Sequence, residues 1–312
     1  MLLLLTVPLV YADPWGEEDT DTAKLKVAVG EAAAARRLPP RDAPERWTLP
    51  AAVADHIRAS QALPIGQRIA AASQTFLGLP YLVDAAGEGD GVDADPPARY
   101  DRFDCLTFVE EMLGIALAGD PLSAPIYRNT LRYDASADYE HRRHFMETEW
   151  IPAAIKAGLL IDITGRLGPA KVLTKTVGID IWKPWATRHH FLLPDNRLPV
   201  GTFSLPYLDL AAAEAAAPKI PPGALVVTLR KDLGWIPVIT THVSLVVPGE
   251  TEPMMRHATR MGTKKVRDDR LGWYMGHLRD YVNWPALGVM VLFPVEQGPR
   301  ISALTPPPEV AR

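Results

Sequence analysis

The side chain best suited to covalent chemistry occurs once in this sequence of 312 residues, as Cys105. It follows Asp104, which we place as the N-cap of an apolar helix that stops at Gly119. Backbone N–H groups and the helix dipole stabilise a thiolate at such a position, which is typical of a nucleophile. A lone cysteine is also commonly a buried structural residue, and a single one excludes an internal disulfide and a multi-cysteine zinc site.

A cysteine nucleophile requires a general base, and the base requires a group that orients it. His242, in the segment THVSLVV, lies 137 residues after Cys105, and His257 follows in the segment MMRHATR. A hairpin that turns through residues 248–251 would place the two histidines directly opposite each other, with Cβ atoms about 4.5–5.5 Å apart. Either histidine alone is more commonly an ordinary polar strand residue. The matched positions favour a relay of the cysteine and both imidazoles.

Other histidines and acidic residues allow a metal site as an alternative. His141 with His144, and the pair His189 and His190, have side chains that bind metals, but no HExxH motif is present and no third ligand is placed by spacing. The acidic segment GEGDGVDADP, residues 87–96, lacks the residue pattern of a calcium-binding loop. We therefore expect neither a metal nor another cofactor.

Composition narrows the class of protein. Hydrophobic residues make up 47% of the chain and charged residues 22%, which is ordinary for a globular protein and excludes a disordered chain. There are 33 basic and 37 acidic side chains, giving a net charge of -4, so a nucleic-acid partner is not expected. Thirty prolines indicate many long connections between elements.

The first residues suggest export. Residues 1–10, MLLLLTVPLV, form an apolar run, and cleavage after Ala12 fits the small-residue rule for a secretory signal. The run is too short to span a bilayer, and its only positive charge is the α-amine of Met1. The alternative is an apolar first helix packed on the domain. We expect export to the periplasm.

The order of predicted elements is helices first and strands later, which favours an α+β fold. An acidic, Gly- and Pro-rich loop is predicted over residues 84–101. Helices are predicted over 23–37, 50–60, 65–76, 103–119, 121–133, 150–157 and 278–282, and strands over 171–177, 224–229, 242–247, 254–259 and 288–293.

Several short segments, in this order, carry a resemblance to a known family: LGLPY (77–81), FDCLTF (103–108), RHF (143–145), WIP (150–152), GLL (158–160), THV (241–243) and RHA (256–258). They resemble the NlpC-type papain-like cell-wall peptidases, in the branch described as N-acetylmuramoyl-L-alanine amidase-like. The resemblance spans roughly residues 64–294. It implies a papain-like core in which helices pack on an antiparallel sheet and the catalytic cysteine begins a helix.

The resemblance also implies roles for individual residues. Cys105 would be the nucleophile, His242 the base and His257 the third polar residue. Tyr81 and Asp104 would line the substrate site beside the thiol. Recognition of the substrate would also involve two residues of the HRRH segment, which could equally form a solvated basic cluster: Arg143 and His144.

Two positions depart from the family pattern. Leu106 stands where a small residue usually follows the cysteine, and Ser244 stands where glycine usually follows His-Val. A bulkier side chain beside the thiol narrows the pocket, so these positions bear on substrate choice more than on the relay.

The function that the resemblance implies is hydrolysis of peptidoglycan fragments through an acyl-enzyme. The expected bond joins N-acetylmuramic acid to L-alanine. The alternatives are the D-glutamyl–diamino-acid bond of the stem peptide, and a non-catalytic muropeptide-binding protein that keeps the fold. No obligate protein partner is expected. The domain prediction is a helical extension over residues 13–63, a catalytic domain over 64–296 and a Pro-rich tail over 297–312.

Overall fold

The structure, a computed structural model, describes residues 49–297. In this part of the chain helices and an antiparallel sheet form an α+β fold, as predicted. The helices are α1 (Ala51–Ser60), α2 (Ile65–Gln74), α3 (Cys105–Leu117), α4 (Ala124–Arg132), α5 (Ile151–Lys156), α6 (Thr164–Leu167), α7 (Ile179–Trp182), α8 (Leu210–Ala216) and α9 (Leu271–His277). The strands are β1 (Leu160–Asp162), β2 (Lys171–Val177), β3 (Gly201–Asp209), β4 (Leu225–Arg230), β5 (Thr240–Val247), β6 (Met254–Thr259), β7 (Lys265–Arg270) and β8 (Ala286–Pro294).

The strands form one sheet in the order β2-β3-β8-β4-β5-β6-β7, and β1 pairs with the end of β8. Every recorded pairing between these strands is antiparallel. Strands β4 to β7 follow one another both in sequence and in space, so short turns place their side chains in adjacent rows. These four strands carry the candidate site.

Helix α3 begins as the sequence predicts. The Asp104 side chain accepts a hydrogen bond from the Thr107 amide at 2.8 Å, and the Thr107 hydroxyl accepts one from the Asp104 amide at 3.0 Å. This capping box satisfies N–H groups that the first helical turn cannot. The helix ends because Ala118 adopts an extended backbone. Gly119 directly follows this C-cap, at the predicted C′ position, but it does not adopt the positive φ angle that other glycines of the chain have.

Two hydrophobic cores lie on opposite faces of the sheet. On one face, Phe108 and Leu113 of α3 pack with Val243 and Leu245 of β5. This core also contains side chains of α1 and α2, so α1 packs with the helices that follow it. On the other face, α8 and α9 cover the alternate residues of the same strands, including Val246.

Some elements differ from the prediction. Strands β1, β3 and β7 were not predicted: β3 contains Pro206, and β7 reads KVRDDR, which lacks the β-branched and aromatic residues typical of strands. The late helix lies over Leu271–His277, while Leu278–Asp280 forms only a 3₁₀ turn.

Several predictions fall on residues 1–48 and 298–312. The signal segment, the helix over 23–37 and most of the Pro-rich tail lie outside the described residues. Among residues 49–297, none of the helices combines the length and the apolar character that crossing a membrane requires.

Candidate active site

The segment that leads to Cys105 links the helix to the edge of the sheet. The Gly78 amide donates to the carbonyl of Val266 on β7 at 2.8 Å, and the Leu82 amide donates to the Phe103 carbonyl at 3.0 Å. Residues 78–82 thus run from β7 to the residue two positions before Cys105. The connection fixes the start of α3 relative to the outer strands of the sheet.

The two histidines meet through a register that differs from the predicted one. Strands β5 and β6 pair Leu245 with Arg256, a register that sets His242 opposite Thr259 rather than His257. The predicted direct opposition is therefore wrong by two residues. Because side chains alternate with a period of two, a shift of two keeps both rings on one face. His242 Nε2 and His257 Nδ1 lie 2.7 Å apart, within hydrogen-bond distance.

The end of β5 that carries His242 is open toward β6. The antiparallel ladder between β5 and β6 begins only at Leu245. The Val246 amide donates to the carbonyl of Ala224, the residue before β4, so the alternation of the ladder directs the Val243 amide toward β6. Helix α3 packs against both strands.

The sulfur of Cys105 lies at this opening. The backbone N–H of Val243 hydrogen-bonds the sulfur and favours its thiolate form. The structure therefore brings Cys105 to the residue that follows His242 on β5. The sequence spacing predicts that Cys105 and His242 share one reaction, and the start of α3 lies beside the open end of the strand that carries His242.

The protonation state of Cys105 differs from the sequence expectation. Burial of the sulfur, aided by the nearby Asp104 carboxylate, raises the pKa of the Cys105 thiol to about 12. The amides of Val243, Cys105 and Leu106 act in the opposite direction and do not outweigh burial. Near neutral pH the resting protein thus holds a thiol, not the thiolate that the helix terminus alone suggests.

The imidazoles are also uncharged at rest. Burial holds the pKa of His242 well below its usual 6.5, and the neighbouring His257 and Arg230 lower it further. Burial likewise lowers the pKa of His257, although its contact with Asp269 works against this. A neutral thiol and a neutral imidazole are the protonation states that suit proton transfer during attack on a carbonyl.

Asp269 is a member of the site that sequence reasoning missed. Its Oδ2 lies 3.0 Å from His257 Nε2 and accepts from Arg267 Nε at 3.1 Å and Nη2 at 2.8 Å. On β7, Arg267 pairs directly with His257, so Asp269 is two residues further on the same face. The signal that could have found Asp269 is the alternation of charges in KVRDDR, after the predicted hairpin. This alternation becomes informative only once β7 is assigned as a strand.

Two further buried residues position the site. The Tyr274 ring of α9 lies 6.3 Å from the His242 ring and 6.1 Å from the His257 ring, with its hydroxyl 2.8 Å from that of Thr228. Glu147, on a π-helical turn before α5, accepts from the amide of Ile239 at 2.8 Å and from the hydroxyl of the next residue. Tyr274 therefore encloses the imidazoles, and Glu147 holds the start of β5.

Asp104 directly precedes the cysteine, and Tyr81 forms a β-bridge with Phe103, two residues before it. Tyr81 packs partly buried against the same core as Cys105. Asp104 uses its carboxylate to cap α3 and to accept from the Ala85 amide at 3.2 Å. Contact of either residue with a substrate stays a prediction.

Arg143 and His144 lie in structural contacts. Arg143 Nη1 donates to the carbonyls of Thr130 and Leu131, at 2.7 and 2.8 Å, in the last turn of α4. His144 Nε2 donates to the Tyr139 carbonyl at 2.7 Å. These hydrogen bonds are made to α4 and to Tyr139, not to Cys105 or the imidazoles, and a role of either residue in substrate recognition stays a prediction.

The neighbouring Arg142 has a different task. It donates to Glu88 and Asp93 at 2.8 Å and to Asp84 at 3.3 Å, and so fastens the acidic loop to the segment before α5.

Within residues 49–297 no three His, Cys, Asp or Glu side chains are grouped to hold a metal ion.

Comparison with known proteins adds a family to this geometry. Residues 71–279 match the family model AmiA-like, described as N-acetylmuramoyl-L-alanine amidase-like. A search of the curated proteins found no match. A solved Legionella pneumophila protein of the family DUF1460 is similar in fold, with a TM-score of 0.68 and 22% identity over 78% of this chain and 93% of that one. An N-acetylmuramoyl-L-alanine amidase from Bacteroides uniformis gives a TM-score of 0.61 and 21% identity over 74% of this chain and 99% of that one.

Proposed function

The chain belongs to the AmiA-like, N-acetylmuramoyl-L-alanine amidase-like family, and on that premise we propose that it is a cysteine-dependent amidase of the papain-like, NlpC type. Its substrate is a peptidoglycan fragment, and the bond it cleaves joins N-acetylmuramic acid to L-alanine. The apolar run over residues 1–10 supports action in the periplasm. Family membership supports peptidoglycan amide hydrolysis, and the arrangement of side chains supports the cysteine mechanism.

The observation that carries the mechanism is the contact of two imidazoles behind a cysteine at a helix N-terminus. His242 Nε2 lies 2.7 Å from His257 Nδ1, and the amide of Val243 hydrogen-bonds the Cys105 sulfur. Nucleophile, base and orienting group are thus in chain order on a helix and two adjacent strands. A protein that only binds muropeptides has no need of this set.

Acylation begins from the neutral pair. As the Cys105 sulfur attacks the lactyl carbonyl of the muramic acid, the thiol proton passes to His242 and a carbon–sulfur bond forms. The carbonyl electrons move to oxygen, and backbone N–H groups at the start of α3 stabilise that oxyanion. The tetrahedral intermediate then collapses as His242 returns its proton to the L-alanine nitrogen. The peptide leaves with a free amino terminus.

Deacylation reuses the same base. His242 removes a proton from water, whose oxygen attacks the thioester carbonyl. Cleavage of the carbon–sulfur bond restores the thiol and releases the carboxylic acid of the sugar. The same steps would cleave the D-glutamyl–diamino-acid amide, so the relay does not select the bond.

Defined muropeptides, incubated with the purified full-length chain and analysed by mass spectrometry, test the proposal. We expect peptides with a new amino-terminal L-alanine. In Cys105→Ala we expect the cleavage rate to fall by a factor on the order of 10⁴ or more. Circular dichroism checks that this variant keeps the fold. Release of a diamino-acid fragment would instead identify the endopeptidase. Stoichiometric binding without products would identify a binding protein, and undiminished cleavage by Cys105→Ala would refute the thiol mechanism.

A further inference from the structure

We propose that Asp269, held by Arg267, is a positioning residue that fixes the tautomers of both imidazoles and so makes Nδ1 of His242 the base. Its consequence for catalysis rests on the proposed function, whereas the tautomers themselves do not.

The chain of hydrogen bonds ends on β7 at Asp269, whose carboxylate acts only as an acceptor. Arg267 donates two N–H groups to Asp269 Oδ2, at 3.1 and 2.8 Å. Burial alone would raise the pKa of Asp269, but the bond from His257 and the positive charge of Arg267 outweigh it, and the pKa is lowered. An ionised carboxylate has no proton to give. The proton in the 3.0 Å contact between Asp269 and His257 therefore belongs to Nε2 of the ring.

The next contact then has a fixed direction. Burial keeps His257 neutral, and a neutral imidazole carries a proton on only one nitrogen. With Nε2 protonated, Nδ1 of His257 accepts. The 2.7 Å contact therefore requires that His242 donate through its own Nε2.

The proton on Nε2 of His242 leaves Nδ1 as the basic nitrogen of that ring. When His242 takes the thiol proton it keeps its bond to His257, and the negative Asp269 lies at the far end of the chain to stabilise the positive charge. Without that carboxylate, His257 can carry its proton on Nδ1 and donate it to His242. The proton of His242 then moves to Nδ1, and the base is lost.

The adjacent residue of β7 offers a matched control. Asp268 points to the other face, where both of its oxygens accept from Arg256 at 2.7 Å. It too is an aspartate bonded to an arginine of a neighbouring strand position, and its charge acts on His257 from a distance. Asp268→Asn therefore removes a nearby charge while the bond between Asp269 and His257 stays in place.

Nitrogen-15 spectra of the histidine rings in the full chain read the tautomers without any substrate. His242→Gln and His257→Gln assign the two rings. We expect protonated Nε2 in both rings of the wild type, and a loss or reversal of this preference in Asp269→Asn but not in Asp268→Asn. A wild-type His257 protonated at Nδ1 would overturn the proposal, whatever the variants do.

Kinetics on muropeptides give the second measurement. We expect kcat to fall about 10²-fold in Asp269→Asn while KM changes by less than about threefold, with partial recovery in Asp269→Glu and no loss in Asp268→Asn. Equal losses in the two Asn variants would indicate a structural role and overturn the proposal. If Asp269→Asn does not fold, Arg267→Gln replaces it, with the same expected direction and a smaller loss. If no variant or wild type cleaves muropeptides but the tautomers respond, the proposed function fails and the tautomer assignment stands.

Discussion

Helix α3 carries two buried polar networks that differ in charge. Around its middle, Glu110 bonds Arg132 at 2.7 Å, and Glu111 bonds Arg128 at 3.3 Å. Here each charge faces an opposite charge, and the network joins α3 to α4. At the start of the helix, Cys105 lies beside β5, and burial keeps the two imidazoles of the candidate site neutral.

The difference lies in how each network meets the cost of burial. A buried charge is tolerated when it is paired, and the acidic side chains of α3 lie against arginines of α4. Around Cys105 the groups avoid the cost by staying uncharged, so each retains a proton that can move. The ion pairs hold α3 and α4 together. The uncharged groups around Cys105 form a site that is capable of acid–base chemistry.

The largest expected effect separates activity from stability at the head of the helix. In His242→Gln we expect the cleavage rate to fall about 10²–10⁴-fold, because the general base is removed. The unfolding free energy should change far less than in the ion-pair variant below. Muropeptide turnover and urea unfolding measure the two quantities. A variant that retains full activity would assign the base to another group.

The opposite outcome is expected in the middle of the helix. Arg132→Met leaves the buried carboxylate of Glu110 without its cation and removes a second, more distant cation from Glu111, and we expect the unfolding free energy to fall by about 3–5 kcal/mol. Activity per folded molecule should stay near that of the wild type. The double variant with Glu110→Gln removes one of these carboxylates and should recover part of the stability. A loss of activity without a loss of stability would contradict the division between the networks.

The smallest effect concerns the resting charge of the thiol. Because burial raises the pKa of Cys105 to about 12, the thiolate fraction should rise about tenfold with each pH unit from 6 to 9. Alkylation by iodoacetamide should follow the same slope, and the chain has only one cysteine to label. In Asp104→Asn the reaction should be faster at each pH, since a negative neighbour is removed. A rate that does not depend on pH would indicate a preformed ion pair and contradict the neutral resting state.

The elements that could be predicted from the sequence are those with a clear hydrophobic pattern. The strands rich in β-branched residues, such as β5 and β6, were predicted within a few residues, and so was the start of α3 at its Asp104 cap. Of the three strands that the pattern did not reveal, β7 matters most for the site, and its charged residues are stabilised by partners on β6. Asp269 was missed for that reason. Unless its segment is assigned as a strand, neither the sheet face that its carboxylate occupies nor the residues beside it can be inferred.

Sequence alone determined the ingredients: one cysteine at a capped helix start, two histidines in consecutive strands, and the order in which they occur. Tertiary structure decided the rest. The register of β5 on β6 came out two residues from the simplest turn, and the even shift kept both rings on one face. Only packing could set the protonation states, because the pKa of a thiol or an imidazole depends on how much water the surrounding elements remove. The helix terminus by itself favours a thiolate at Cys105, and the protein that encloses the sulfur reverses that preference.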